Sequence, residues 1–528
     1  MSHASQTKQA PEFTGLRAIF WPIHKYELKK FIPMALMMSF VLFNYSLLRN
    51  IKDVLIVKQI GGAAISYVKL IGTMPMAILF VLIYTKLSSV LSKQKLFYVS
   101  LLPFVIYFAL FGFVLYPNLD ALQPSEQTIN KIVAQVPSLE FVFRVCGKWV
   151  LSLFYVFSEL WGSVVLSLLF WQFANDITRV KEAKRFYPLF GMCANVGLIS
   201  SGYALVYFAD QVKLYKNVVE GWAQNLQHMM LVVTIVGFAI PLIYHWMQKR
   251  VLSDPMLYDP AEKVPKKKKV KLGLGDSFKL VFSSKYIGLI AALVLCYGIA
   301  QNLIEVSWKN QLGHFHTGQH ELAKFFGENS ILTGYVVIAF MFIGSNIVRL
   351  FGWKFSATAT PIMIAVTGFF FFGSVLFNNT TWMNSILGIL SLTPIALAVY
   401  VGQAQVILSK ATKYSLFDAT KEMSYIPLSE DLRVKGKAAV DVVGGRLGKS
   451  GGSVIQAVLI GIVGVGTADP QLAIMPYLFA FVVVTAIVWL YAIGSLSGLF
   501  DKANKEKEKE IADMEADASK KELAVSKA

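Results

Sequence analysis

The stretch Trp149-VLSLFYVFSELWGSVVLSLLFWQ-Phe173 holds one formal charge, Glu159. It is long enough to cross a bilayer, which takes about 20 mainly apolar residues. A charge at the bilayer centre costs roughly 2.5–3.5 kcal/mol on insertion scales, so such a residue faces water or an opposite charge. Lys69 is likewise the one charge in 65–85 and Glu305 in 286–308, and Lys449 lies within the apolar stretch 438–466. Two cations and two anions distributed over both halves of the chain predict a solute pathway, and the cations predict an anionic solute.

The rest of the chain agrees. Its 528 residues are 55% hydrophobic and 16% charged, with a mean hydropathy of +0.55, too apolar for a soluble globule. Twelve spans are expected: 31–48, 65–85, 96–116, 149–173, 186–209 and 229–246, then 286–308, 331–350, 356–377, 386–408, 438–466 and 472–496. The expected fold is all-α and polytopic, in two six-helix halves at 31–247 and 286–497. A cytoplasmic basic linker, 248–285, joins them; a cytoplasmic N-terminal segment, 1–30, and a charged cytoplasmic tail, 498–528, flank them. Nothing alternates like the strands of a transmembrane barrel.

The net charge of +18 invites a nucleic-acid reading, but much of the basic excess lies between spans. Lys86, Lys93 and Lys95 follow the second span, Arg179 and Arg185 the fourth, and Lys266 to Lys269 the sixth. Lys410, Lys413, Lys421 and Arg433 follow the tenth. This alternation places both termini in the cytoplasm. In a polytopic chain the Lys266 to Lys269 run reads as part of a cytoplasmic linker rather than a nuclear signal. Cys146, Cys193 and Cys296 are isolated, which supports neither a disulfide framework nor a zinc site. The first 30 residues lack the apolar core of a secretory signal and are short for a plastid transit peptide.

A weak repeat links the halves. Asp176-Ile-Thr-Arg179-Val-Lys181 after the fourth span resembles Asp431-Leu-Arg433-Val-Lys435 after the tenth, and each leads into a helix rich in small residues. Equivalent elements of this kind predict a duplicated bundle around a midplane site. Each intramembrane charge has polar neighbours on its helical face: Ser66 and Thr73 for Lys69, Tyr155 and Ser163 for Glu159, Gln301 and Asn302 for Glu305, Arg446 for Lys449. The segment Gly445-Arg-Leu-Gly448-Lys449-Ser450 superficially matches a P-loop, but Val443 stands where the motif needs its first Gly. ATP hydrolysis there is not expected, although a lysine among small residues suits phosphate.

The chain closely resembles the bacterial and plastidic ATP/ADP translocases. The resemblance is carried by Phe43-Asn-Tyr-Ser-Leu-Leu-Arg49 through Lys52-Asp-Val54, Ser158-Glu-Leu-Trp-Gly-Ser163, Glu182-Ala-Lys-Arg-Phe-Tyr-Pro-Leu-Phe-Gly191, Asn302-Leu-Ile-Glu305 and Leu447-Gly-Lys-Ser-Gly-Gly452. It covers most of the chain from about Phe31 to Leu496 and implies a major-facilitator-like architecture. It implies that Lys69, Glu159, Glu305 and Lys449 belong to the transport site, with Asn302 and Arg446 as further contacts. Gly444-Gly445-Arg446 departs from the plastid relatives. The resemblance further implies ATP and ADP as substrates, exchange of host ATP for bacterial ADP, and a monomer in the inner membrane of a chlamydia-like bacterium. No cofactor, metal or nucleic acid is expected. A proton-coupled nucleotide importer using Glu159 or Glu305 is the alternative, and a membrane-embedded enzyme lacks any catalytic constellation.

Overall fold

The computed structural model describes residues 13, 15, 17, 21–258, 274–378, 380–389, 391–440, 444 and 447–525. Among them all the regular structure is helical. Among the described residues eleven helices are long and apolar enough to cross a membrane. The first six are α1 (Leu28–Gln59), α2 (Ala64–Val90), α3 (Lys93–Leu115), α4 (Trp149–Ile177), α5 (Val180–Gln211) and α6 (Val218–Arg250). After the linker comes α7 (Lys285–Phe315), then the helical run Gln319–Leu376. That run is turned at Gly352 (φ 76°, ψ −179°), with α8 before this residue and α9 after it. A residue without a Cβ reaches that conformation at little steric cost. The series ends with α10 (Pro394–Met423) and α12 (Met475–Val525); between them lies α11 (Leu447–Leu459, extended by the π-helical Ile460–Gly464), a shorter apolar helix that is not one of the eleven.

Several helices run beyond the spans expected from hydropathy, and α7 continues past 308 to Phe315. α1 continues through Arg49, Lys52 and Asp53 to Gln59 instead of stopping near 48, because its polar side chains find partners inside the bundle. α10 begins at Pro394, capped by Thr393, rather than at 386; Thr381–Ile389 forms a separate helix. A proline in the first turn is pre-set for the helix and lacks only an N–H that would have no helical partner. Of the expected span 438–466, residues 441–443, 445 and 446 lie outside the described residues; Leu447–Gly464 of it is helical. The Lys266 to Lys269 run lies outside the described residues.

The two sets of spans meet most closely on the side away from the termini. There Tyr67 Oη donates to the Ala457 carbonyl at 3.0 Å, and Asn50 Nδ2 donates to Ser330 Oγ at 2.9 Å. Lys58 reaches the carbonyls of Gly313, at 2.7 Å, and His316. Helices α5 and α8 touch through backbone: a Cβ on Gly202 would lie 2.6 Å from the Gly327 carbonyl oxygen. Towards the termini, by contrast, the Met74–Val90 part of α2 buries no residue. The contacts between the two sets of spans named here thus gather on the far side.

Gly202→Leu should force α5 and α8 apart and loosen the far side. In protein whose cysteines Cys146, Cys193 and Cys296 are replaced by Ser, the reporter Ala457→Cys should then label faster with an impermeant thiol reagent applied from that side. Equal labelling with and without Gly202→Leu would show that this contact does not hold the far side closed.

Candidate functional site

The site begins on α1. Arg49, Lys52 and Asp53 share one helical face through i, i+3 and i+4 spacing. α7 presents Glu305 and Lys309 one turn apart, and α4 presents Tyr155 and Glu159 in the same way. Packing of these helices joins the six charges into one ladder. Arg49 Nη2 lies 2.5 Å from Glu305 Oε1, which is 2.9 Å from Lys309 Nζ. Lys309 Nζ is 2.8 Å from Asp53 Oδ2. Lys52 Nζ then bridges Asp53 Oδ1 and Glu159 Oε1, at 2.8 Å each. Its ammonium also sits 3.6 Å from the Tyr155 ring centroid. Positive and negative groups alternate, so each desolvated charge has an opposite neighbour.

Exposure divides this ladder by role. The side chains of Lys52, Asp53 and Lys309 are 1%, 3% and 5% exposed, sealed between helices. Glu305, Glu159 and Arg49 are 15%, 26% and 27% exposed. A solute in the cleft therefore meets the outer members, and the inner three hold α1 against α7.

Two further cations flank the ladder. Lys69 lies in the π-helical turn Val68–Thr73 of α2, half-buried and within electrostatic reach of Glu159, Lys309, Lys52 and Glu305. Lys410 lies in the last turn of Pro394–Thr412 in α10, half-buried and within reach of Arg49, Glu305, Lys309 and Asp53. Among the described residues neither lysine makes an ion pair or side-chain hydrogen bond. The hydroxyls of Ser66 and Thr73, beside Lys69, are buried and without a partner.

The expected site residues thus separate. Glu159, Glu305 and Lys69 surround one cleft, but the partners of the carboxylates are Lys52, Arg49 and Lys309 rather than Lys69. Asn302 stands apart, its Oδ1 accepting from Ser453 Oγ at 3.3 Å and Gln456 Nε2 at 3.2 Å, where it braces α11 on α7. Lys449 belongs to the first turn of α11, but its side chain, like the whole of Arg446, lies outside the described residues. Sequence reading did not assign Arg49, Lys52, Asp53, Lys309 or Lys410 to the site. The i, i+3, i+4 spacing of the first three is the signal that finds them. No group of His, Cys, Asp and Glu suited to a metal occurs among the described residues. A separate hollow lined by Tyr84, Phe97, Gln172 and Tyr244 contains none of the ladder.

Asp53→Asn should be the most destabilising change in the ladder, since it removes the carboxylate shared by two buried ammonium groups. The expected loss is about 3 kcal/mol, the lower end for a buried pair broken on one side, because each lysine keeps a second carboxylate. Lys69→Gln should leave the unfolding midpoint of detergent-purified protein nearly unchanged. Equal midpoints for Asp53→Asn and the unsubstituted protein would contradict a structural role for the inner ladder.

Comparison with known proteins bears on the family and the fold. The model of the family described as TLC ATP/ADP transporter matches residues 6–500. The ADP,ATP carrier protein 1 of Rickettsia bellii is 44% identical over 496 residues, covering 93% of this chain and 97% of the relative. The protein of the same name from Chlamydia muridarum is 46% identical over 522 residues, covering 98% and 97%. Among solved structures, the nucleoside transporter NupG superposes with a TM-score of 0.52 at 12% identity, covering 88% of this chain and 99% of that one. An inward-facing bacterial homologue of the iron transporter ferroportin gives 0.52 at 13%, covering 89% and 100%. At such identity these two speak to the fold alone, which is major-facilitator-like. The match over nearly the whole sequence decides the matter: the chain belongs to the TLC ATP/ADP transporter family.

Proposed function

We propose that this protein exchanges ATP for ADP across a membrane by alternating access around the charged cleft. The observation that carries this reading is the ion ladder joining both halves, with the cation Lys69 left over beside it. Family membership and the names of the close relatives supply the substrates. The halves, 31–247 and 286–497, rock about the cleft. Lys69 and Lys449 receive phosphates, with Arg446 beside Lys449, and Asn302 holds the turn of α11 that follows Lys449. Arg49 is exposed enough to offer its planar fork to phosphate, which releases Glu305 from their shared ion pair. Glu159 and Glu305 keep the cationic groups compensated when no nucleotide is present. No covalent bond breaks in this cycle. Positive-inside bias puts the termini in the cytoplasm of a bacterium, with the chain in its inner membrane as a monomer importing host ATP against its own ADP.

Loss of nucleotide leaves the ladder to re-form across the α1–α7 contact, so the empty carrier is held and switches slowly. Exchange rather than net uptake follows. ATP carries about one more negative charge than ADP, so one-for-one exchange of the free nucleotides moves charge. Purified protein in liposomes should take up labelled ATP only when ADP or ATP is inside, at a rate that responds to an imposed membrane potential. Glu159→Gln and Glu305→Gln should slow exchange more than they weaken binding. Rapid uptake into nucleotide-free liposomes, driven by a pH gradient and abolished by collapsing it, would replace exchange with proton-coupled import.

A further inference from the structure

Lys410 is not used by the reading above, which rests on Lys69 and Lys449 for phosphate. Its position is nevertheless distinctive. It stands three residues before the π-helical turn Lys413–Phe417 of α10, and Glu159 stands three residues before the π-helical turn Gly162–Phe170 of α4. α4 and α10 are the fourth spans of their halves, so each fourth span carries a charged residue three positions before a π-helical turn. α1 and α7 match as well: Lys309 lies as far from the start of its helix as Lys52 does from its own. Before its π-helical turn the first half carries a carboxylate and the second an ammonium.

Charge counting gives the difference a meaning. Arg49, Lys52, Lys69, Lys309 and Lys410 face Asp53, Glu159 and Glu305, five cations against three carboxylates. The alternating ladder consumes three of each. The surplus is Lys69 on the first half and Lys410 on the second, both half-buried and lacking an ion pair among the described residues. The nearby Lys413 is committed elsewhere, 2.8 Å from Asp418 Oδ2. An unpaired ammonium in a low-dielectric cleft, close to Arg49 and Lys309, is repelled by its neighbours and calls for an anion.

We propose that Lys410 is a phosphate-binding residue of the second half, and that a nucleotide polyphosphate spans from Lys69 to Lys410 across the cleft. This deepens the exchange reading and depends on it. A chain of phosphates offers oxygens to one cation from each half and so draws the halves together, and each phosphate removed leaves fewer oxygens to do so.

The test uses full-length protein in detergent and radiolabelled ATP displaced by unlabelled ATP, ADP, AMP or adenosine. Lys410→Gln should weaken ATP and ADP about tenfold, the value of one charge-assisted hydrogen bond. AMP and adenosine should change much less, and Lys410→Arg should restore most of the ATP affinity. ATP and ADP affinities unchanged in a Lys410→Gln protein of normal unfolding midpoint would overturn the proposal. So would an equal loss for all four ligands, which marks a structural role. Failure of the unsubstituted protein to bind ATP or ADP at all would instead defeat the exchange reading itself, so the two failures are distinguishable.

Discussion

Asp53 is the carboxylate on which the arrangement depends. Almost sealed from solvent, it holds the ammonium groups of Lys52 and Lys309, one from each half of the molecule, at 2.8 Å each. Without it the two lysines would face each other across the α1–α7 contact with their mutual repulsion unscreened. The other ion pairs extend outward from this centre, to Glu159 on one side and to Glu305 and Arg49 on the other. Replacing such a network with apolar residues is often neutral or stabilising in other proteins. Its retention here is therefore better explained by switching than by stability. A joint made of charges can be exchanged for contacts to an anion, which an apolar joint cannot.

The division between sealed and accessible members makes that exchange selective. Lys52, Asp53 and Lys309 lie too deep to meet a solute, so they preserve the fold while the outer groups change partners. Arg49 is the group best suited to the trade. Its guanidinium stays charged throughout and can take two oxygens of a carboxylate or a phosphate in the same plane. Tyr155 supports the inner set by placing its ring face against Lys52, an attraction that strengthens when water is absent.

The sequence alone carried the membrane architecture and the central carboxylates, because an isolated Glu inside a long apolar run has few physical explanations. It missed the inner ladder for an equally physical reason. Hydropathy ends a span at the first cluster of charges, and the missing residues lie just past those ends. The first expected span stopped at 48 and lost Arg49, Lys52 and Asp53; the seventh stopped at 308 and lost Lys309; the tenth stopped at 408 and lost Lys410. Charges that neutralise one another across helices look, in one dimension, like the edge of a membrane. Only packing reveals that they are its interior.

The contact between α5 and α8 at Gly202 and Gly327 has a consequence for motion. The surfaces that meet there are peptide units, with the side chains of Val206 and Ile331 beside them. Both of these are β-branched and stiff at χ1, so little side-chain entropy is lost at that point when the helices come together or regained when they part. The helices can roll against each other there as two parts of a bearing do, with few interlocking groups to be undone. Such a bearing has little preference for an end position of its own, and the bias between the two faces is left largely to the charges it carries past one another.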